Sequence, residues 1–286
     1  MEVDTAHVEY ADDCSALLAA YSMTEPQVSL QVLMEEFLSY FSMNGLAINV
    51  QKTNIICFRP HANFDKTEIV LDGKKELKTC KLLGVLFDRK YDFSAHVSRV
   101  KFSVNDKLRK LQKVRDWMNF KTRKEVYPSI CKSIIEYCLD IYARNESSRK
   151  ILQVLCNRIY RDILIKTRYE PIINLHNDLD VLSVNNMYRY QLVTNLLNLL
   201  KWESSLFTFR QLDLEEKVYK TRNRFLNVRI VPKKENVKSS WIIRSTDSWN
   251  ALQCFKIQFV KPELYKDELK GSIKATYPNI VNDKIV

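Results

Sequence analysis

The first fifty residues of this 286-residue chain contain no Lys and no Arg, yet hold eight acids: Glu2, Asp4, Glu9, Asp12, Asp13, Glu25, Glu35 and Glu36. All 45 basic residues therefore fall after position 50, against 26 acids (the chain's 34 less those eight). The net charge of +11 is thus split between an acidic head and a basic body. Such a split suits a protein that holds cations at one end and a polyanion along the other, although a solvated lysine-rich face accounts for the same charge. Glycine is scarce, with four in the chain, and proline numbers seven. With an apolar content of 46%, this excludes fibrous and low-complexity classes and favours an ordered, helix-leaning globular protein. No apolar run approaches the roughly 20 residues of a membrane span. The N-terminus lacks the basic start and apolar block of a secretory signal. The seven cysteines are odd in number and scattered, which fits reduced thiols in the nucleus or cytoplasm better than a disulfide frame. Close-paired zinc spacing is missing too, since Cys131 and Cys138 lie far from Cys156 and His176. The length accommodates two domains or three small ones.

What is present is organised around Tyr10-Ala11-Asp12-Asp13. Short apolar runs flank it, Ala6 to Tyr10 before and Cys14 to Ala20 after, which reads as a hairpin with two acids at its tip. Adjacent carboxylates repel and gain nothing by packing, so the tip is a candidate seat for a divalent cation. Two-metal nucleotidyl transfer needs carboxylates clustered on such a rigid element. A solvated acidic turn is the competing reading.

After the hairpin, Thr24, Pro26 and Gln27 form a helix start, and Leu30, Leu33, Met34, Phe37, Leu38 and Phe41 recur on one helical face. Gly45 is placed to close that helix. A strand pair is expected at Leu46 to Val50 and Asn54 to Phe58, then another across Asp72-Gly73. One more strand is expected from Leu82 to Phe87, with Gly84 marking a bulge or a close backbone approach. From Ser94 the pattern turns helical, with a stripe of Val97, Val100, Val104, Leu108, Leu111 and Val114. Bases Lys101, Lys107, Arg109, Lys110, Lys113 and Arg115 occupy the other faces. Thr122 and Glu125 read as a capping box opening a helix marked by Val126, Ile130, Ile134 and Tyr137. Leu152, Leu155, Ile159 and Ile163 mark a third helix, completing a small bundle. Pro171 is an expected break, followed by a helix from Ser183 to about Lys201. The segment Lys217 to Arg244 holds nine bases, among them Arg222 and Arg224, interleaved with Tyr219, Phe225 and Trp241. Bases among aromatics suit backbone attraction with base stacking, or core anchors in a basic surface segment. The sequon Asn145-Glu146-Ser147 has no secretory signal to bring it into use.

The order of these pieces resembles a reverse transcriptase. Tyr10-Ala11-Asp12-Asp13 is similar to the family's Tyr-x-Asp-Asp box, and Gly45 to Thr53 resembles the Gly-Leu…Asn…Lys-Thr segment that follows it. Leu82-Leu83-Gly84-Val85 resembles the primer-grip hairpin, trailed by Asp88, Phe93 and His96 as in polymerases of non-LTR (LINE-type) retrotransposons. Leu152 to Arg161 is similar to the helix after the thumb in such elements, and Ser248-Trp249-Asn250-Ala251-Leu252 to their C-terminal Trp-Asn signature. The resemblance implies an α+β fold: residues 1–92 as half of a palm, 93–170 as a helical thumb, and 171–286 as a helical, basic C-terminal region. It implies that Asp12 and Asp13 bind magnesium (or manganese), Asp12 being the stronger ligand, and that Lys52 assists pyrophosphate departure. Leu82, Leu83, Gly84 and Val85 would hold the primer. Lys101, Lys107, Arg109, Lys110, Lys113 and Arg115 would grip the phosphates of an RNA template and DNA primer, together with Arg222 and Arg224.

The chain also departs from that pattern. A palm draws a further aspartate from a strand well upstream, and only nine residues precede Tyr10. Asp4 and Glu9 sit on the same hairpin arm and cannot replace it. Cys14 stands where the family usually has a hydroxyl residue. The expectation is a C-terminal part of a retroelement polymerase that does not synthesise DNA alone, its metal site needing the missing carboxylate. A non-catalytic nucleic-acid-binding remnant is the alternative.

Overall fold

The computed structural model describes residues 5–10, 13–18, 25–58, 69–71, 73–201, 214–220, 226–232, 244 and 247–248. The architecture is α+β, with helices and small two-stranded antiparallel sheets. The chain divides into two compact units, Met1–Ala95 and His96–Val286.

In the first unit, β1 (Thr5–Tyr10) pairs with β2 (Asp13–Leu18) in a register running from Thr5↔Leu18 to Tyr10↔Asp13. The expected hairpin is therefore present; Ala11 and Asp12, which join its arms, lie outside the described residues. Helix α1 (Glu25–Met43) follows. Its end is a complete glycine cap: Gly45 has φ +71°, its amide donates to the Ser42 carbonyl at 3.0 Å, and Leu46 N donates to Phe41 O at 2.8 Å. Gln27 on α1 reaches the Val70 peptide with both ends of its amide, its Oε1 accepting from Val70 N at 3.2 Å and its Nε2 donating to Val70 O. That contact ties the helix to β3 (Val70–Leu71), which pairs with β4 (Lys74–Lys75) across Gly73.

Two strand expectations in this unit are corrected. Residues 46–58 form no strand pair. Asn49 instead gathers the chain into a turn, its Oδ1 accepting from Lys52 N at 3.2 Å and its carbonyl from Thr53 N at 3.1 Å. Asn side chains compete with sheet ladders in this way. The stretch Leu82 to Phe87 is likewise not one strand but part of a hairpin of β5 (Thr79–Leu82) and β6 (Val85–Asp88). Its turn is Leu83-Gly84, with φ +44° and +88°. Two positive φ values in a two-residue loop give the mirror-image turn that matches strand twist.

A network around Asp88 closes the unit. Its carboxylate accepts from Lys90 N (3.1 Å), Asp92 N (3.0 Å) and Phe93 N (2.6 Å). These bonds hold Tyr91 and Phe93 in left-handed backbone (φ +57° and +60°), a conformation that costs free energy for non-glycine residues. The compensation is an edge-on cluster in which Phe58, Phe87, Tyr91 and the fully buried Phe93 meet.

The second unit is helical through Lys201. Helix α2 (Ser94–Gln112) buries Val97, Val100, Val104, Leu108 and Leu111 as expected; Val114 falls beyond the helix end and is exposed. A 3₁₀ turn (Arg115–Trp117) leads to α3 (Phe120–Tyr127). The cap of α3 is Asn119, whose Oδ1 accepts from Thr122 N at 2.8 Å, so Thr122 is inside the helix and not its cap. The expected stripe of Val126, Ile130, Ile134 and Tyr137 is out of phase. Tyr127, Cys131 and Ile135 are the buried residues, while Ile130 and Tyr137 are exposed. Within this stretch Pro128, which has no N–H to give, opens a π turn (Pro128–Lys132) before α4 (Ser133–Glu136). The wider turn keeps residues four apart on one face.

Cys138, at φ +54°, separates α4 from the short α5 (Leu139–Tyr142). Helix α6 (Glu146–Leu164) presents Leu152, Leu155, Ile159 and Ile163 to the core, as the sequence indicates. Pro171 precedes α7 (Ile172–Leu179), a helix that sequence patterning does not single out. Helix α8 (Val184–Lys201) then buries Met187, Tyr188, Leu192, Val193 and Leu196. An antiparallel hairpin, β7 (Leu214–Lys220) with β8 (Leu226–Pro232), stands in a region expected to be helical. Among the described residues, no helix is long and apolar enough to cross a membrane.

Candidate nucleic-acid interface

Each sequence-predicted residue among those described has a definite place. Asp13 opens β2 at the hairpin tip and is exposed, with Asp12 outside the described residues. One exposed carboxylate is a hard oxygen ligand, but a divalent cation of this class takes several. Among the described residues no three His, Cys, Asp or Glu side chains converge as a metal-holding group.

Lys52 sits exposed in the Asn49 turn, where its backbone is doubly held: its amide donates to Asn49, and its carbonyl accepts from Asn54 Nδ2 at 3.1 Å. The primer-grip candidates divide by burial. Leu82 and Leu83 project at the β5–β6 tip, whereas Val85 is buried and serves the core. Gly84 supplies the backbone freedom of the turn itself. The trailing residues Asp88, Phe93 and His96 are structural: Asp88 and Phe93 build the loop described above, and His96 is buried edge-on to Tyr142 with ring centroids 4.6 Å apart.

On α2 and just past its end, five of the predicted bases are exposed: Lys101, Lys107, Arg109, Lys110 and Lys113. Lys110 pairs with Asp106 at 2.8 Å, one turn away, a contact that water screens. Arg115 differs from the rest. It is half-buried, its Nε bonds Asp116 at 3.1 Å, and Asp162 lies 3.7 Å from its Nη1. Asp162 in turn accepts from Gln112 Nε2 at 2.7 Å. Burial pushes the Asp162 carboxyl up despite these donors. Arg115 thus meets Asp162 on α6 as well as its neighbour Asp116. Arg222 and Arg224 lie outside the described residues, as does Trp249-Asn250 of the C-terminal signature.

Two aromatic residues near these bases are not singled out by the sequence pattern. Phe102 on α2 is 72% exposed, and Trp117 in the 3₁₀ turn is 87% exposed. Helical spacing places Phe102 opposite the buried stripe and in line with Arg109, seven residues on. An aromatic ring on a cationic helix face can stack on a base while its neighbours meet phosphates. A signal for it exists in the sequence: Phe102 is the large apolar residue of α2 that breaks the valine stripe.

No protein-family model matches this chain, and no solved structure does. Over 146 residues it is 23% identical to the RNA-directed DNA polymerase from mobile element jockey of Drosophila melanogaster, a similarity that takes in 49% of this chain and 16% of that protein. The chain thus stands in a distant relationship to the reverse transcriptase of a mobile element, and it spans a small part of that protein's length.

Proposed function

We propose that the chain is the C-terminal part of a non-LTR retroelement reverse transcriptase, comprising half a palm, the thumb and a C-terminal region. The similarity to a mobile-element polymerase is the observation that carries this reading. Its contribution is to bind template and primer: the exposed bases of α2 meet phosphates, and Leu82 and Leu83 meet the primer strand. In this reading Asp12 and Asp13 hold magnesium only when a further carboxylate from outside these 286 residues joins them. Lys52 then stands by as a cation for the departing pyrophosphate. These residues alone do not extend a primer.

A second reading, a nucleic-acid-binding remnant without catalysis, is favoured by one observation. The cationic, aromatic-bearing face of α2 is built on a fully packed helix and needs no metal.

Primer extension on an RNA template with magnesium, beside a filter-binding salt series, tests both. Binding that weakens steeply with salt, without extension, is the expected result, because released counterions set that slope. Extension that Asp12→Asn abolishes would overturn the claim of inactivity. Absence of binding at low salt would sink both readings.

A further inference from the structure

Away from the hairpin tip and the α2 face, the second unit holds a cleft of about 220 Å³ whose walls carry four arginines. Arg144 follows α5, Arg149 is in the first turn of α6, Arg189 is on α8, and Arg244 comes from a later stretch of chain. One carboxylate, Asp247, shares the lining.

The cleft is built around Tyr188, which is buried. The Arg149 guanidinium lies 4.9 Å from the Tyr188 ring centroid and the Arg244 guanidinium 5.7 Å from it. Arg244 also donates to the Tyr188 hydroxyl. Arg149 is fixed on its other side: Nε donates to Asn185 Oδ1 at 2.7 Å, and Nη1 to the carbonyls of Ala143 (2.8 Å) and Arg144 (2.6 Å). Arg149 is therefore held in place before any ligand arrives, with Nη2 left to donate to one, and a group already held loses little entropy on binding.

This arrangement is costly by itself. Burial holds the Arg149 guanidinium below the usual arginine range, and the charges of Arg189 and Arg244 add to that, against the favourable pull of the Tyr188 oxygen and Glu146. Burial also pushes the Asp247 carboxyl up, which weakens it as a counter-charge. Like charges gathered in a partly desolvated cleft are relieved by an anion.

We infer that this cleft is a binding site for a phosphoryl group. Guanidinium N–H groups suit phosphate oxygens, and among the described residues four arginines line the cleft against one carboxylate. The volume admits a phosphate with one attached sugar or nucleoside. The buried tyrosine gives the floor an apolar face. A backbone or terminal phosphate of a nucleic-acid strand and free phosphate share this chemistry. The strand as source rests on the nucleic-acid-binding reading above; the phosphate site rests on the cleft alone.

The test uses the full chain. Its thermal midpoint is measured with 10 mM orthophosphate and with chloride at matched ionic strength, for wild type, Arg144→Gln and Arg189→Gln. Both substituted side chains are half-exposed, and the midpoint in chloride shows whether each variant folds. Orthophosphate is expected to raise the wild-type midpoint and to lose at least half of that effect in each variant. Broadening of the orthophosphate ³¹P signal by wild-type protein, reversed by added pyrophosphate, reports the same binding without a variant. Equal shifts in all three proteins, or no broadening, would overturn the site. Anisotropy of a labelled 12-nucleotide RNA, with and without a 5′-phosphate, then identifies the source. A strand phosphate predicts five- to tenfold weaker RNA binding in the variants; free phosphate predicts unchanged RNA binding. RNA that fails to bind at all, with the orthophosphate shift intact, would remove the nucleic-acid reading and leave the phosphate site standing.

Discussion

Arg123 on α3 donates through its Nε to the carbonyl of Ile163 in the last turn of α6, at 2.8 Å and 40 residues along the chain. The last carbonyls of a helix have no partner within it, so a buried guanidinium supplies one and complements the negative end of the dipole. Its Nη1 also donates to the Met118 carbonyl, which fixes the entry to α3. One side chain thus joins two helices and the turn before them.

Arg123→Ala is expected to cost about 2 to 3 kcal/mol, the range for a charged hydrogen bond lost from a buried acceptor. A urea melt of the full chain measures it. Arg123→Lys recovers less than half, because an ammonium cannot span both carbonyls as a fork does. Full recovery by lysine would show that charge alone matters here.

Tyr127, at the end of α3, is fully buried, and its hydroxyl has no hydrogen-bond partner among the described residues. Burial pushes its pKa up to about 12. Removing a polar group that gains nothing from burial relieves a desolvation cost of about 1 kcal/mol. Tyr127→Phe should therefore leave stability unchanged or raise it, and a lower urea midpoint would contradict this.

Two histidines make stability depend on pH. His96 and His176 are buried, and burial lowers the pKa of each, with Arg99 adding to the effect at His96. Their folded forms take up a proton less readily than the unfolded chain, with the Val181 carbonyl partly opposing this at His176, so the unfolded chain binds more protons as pH drops below about 6.5. Stability is full above that value and falls as pH is lowered through it, by at most about 1.4 kcal/mol per pH unit for each histidine. Melts at pH 7 and pH 5 should separate, and His176→Gln should shrink the gap. An identical gap in the variant would exclude His176 as a source.

Leu83 holds φ +44° at a turn that Asn prefers. Leu83→Asn is expected to stabilise the first unit by about 0.5 to 1 kcal/mol, since Asn tolerates left-handed backbone far better than Leu. If Leu83 also touches a primer, the same substitution weakens template-primer binding while the fold improves. A variant that is more stable and binds equally well would remove Leu83 from the proposed grip.

Phe102→Ala should leave the stability within about 0.5 kcal/mol of wild type, because the ring is exposed. A stacked base would nonetheless be lost, at about 1 to 3 kcal/mol of binding to single-stranded RNA. Neutralising Arg109 and Lys113 instead flattens the salt dependence, by about 0.7 per phosphate contact removed on a single strand. A Phe102 variant with wild-type affinity would confine this face to electrostatic attraction.

The sequence by itself determined the elements whose pattern is local. The hairpin around Tyr10 and Asp13, α1 with its Gly45 cap, and the buried stripes of α2 and α6 all follow from residue spacing and turn chemistry. The place of the exposed α2 bases follows from the same periodicity. Tertiary structure decided what depends on distant partners. Asn49 turns residues 46–58 away from a ladder, and packing within the second unit turns Tyr127, Cys131 and Ile135 inward, one position on from the stripe that periodicity indicates. Arg115 reads as one more surface base until Asp162, 47 positions away, is found beside it. The arginine cleft shares that character, since Arg149, Tyr188 and Arg244 are far apart in sequence and meet through packing alone. Periodicity reports which face of an element is apolar; which charges face each other is set by how the elements cross, and a single sequence does not display that.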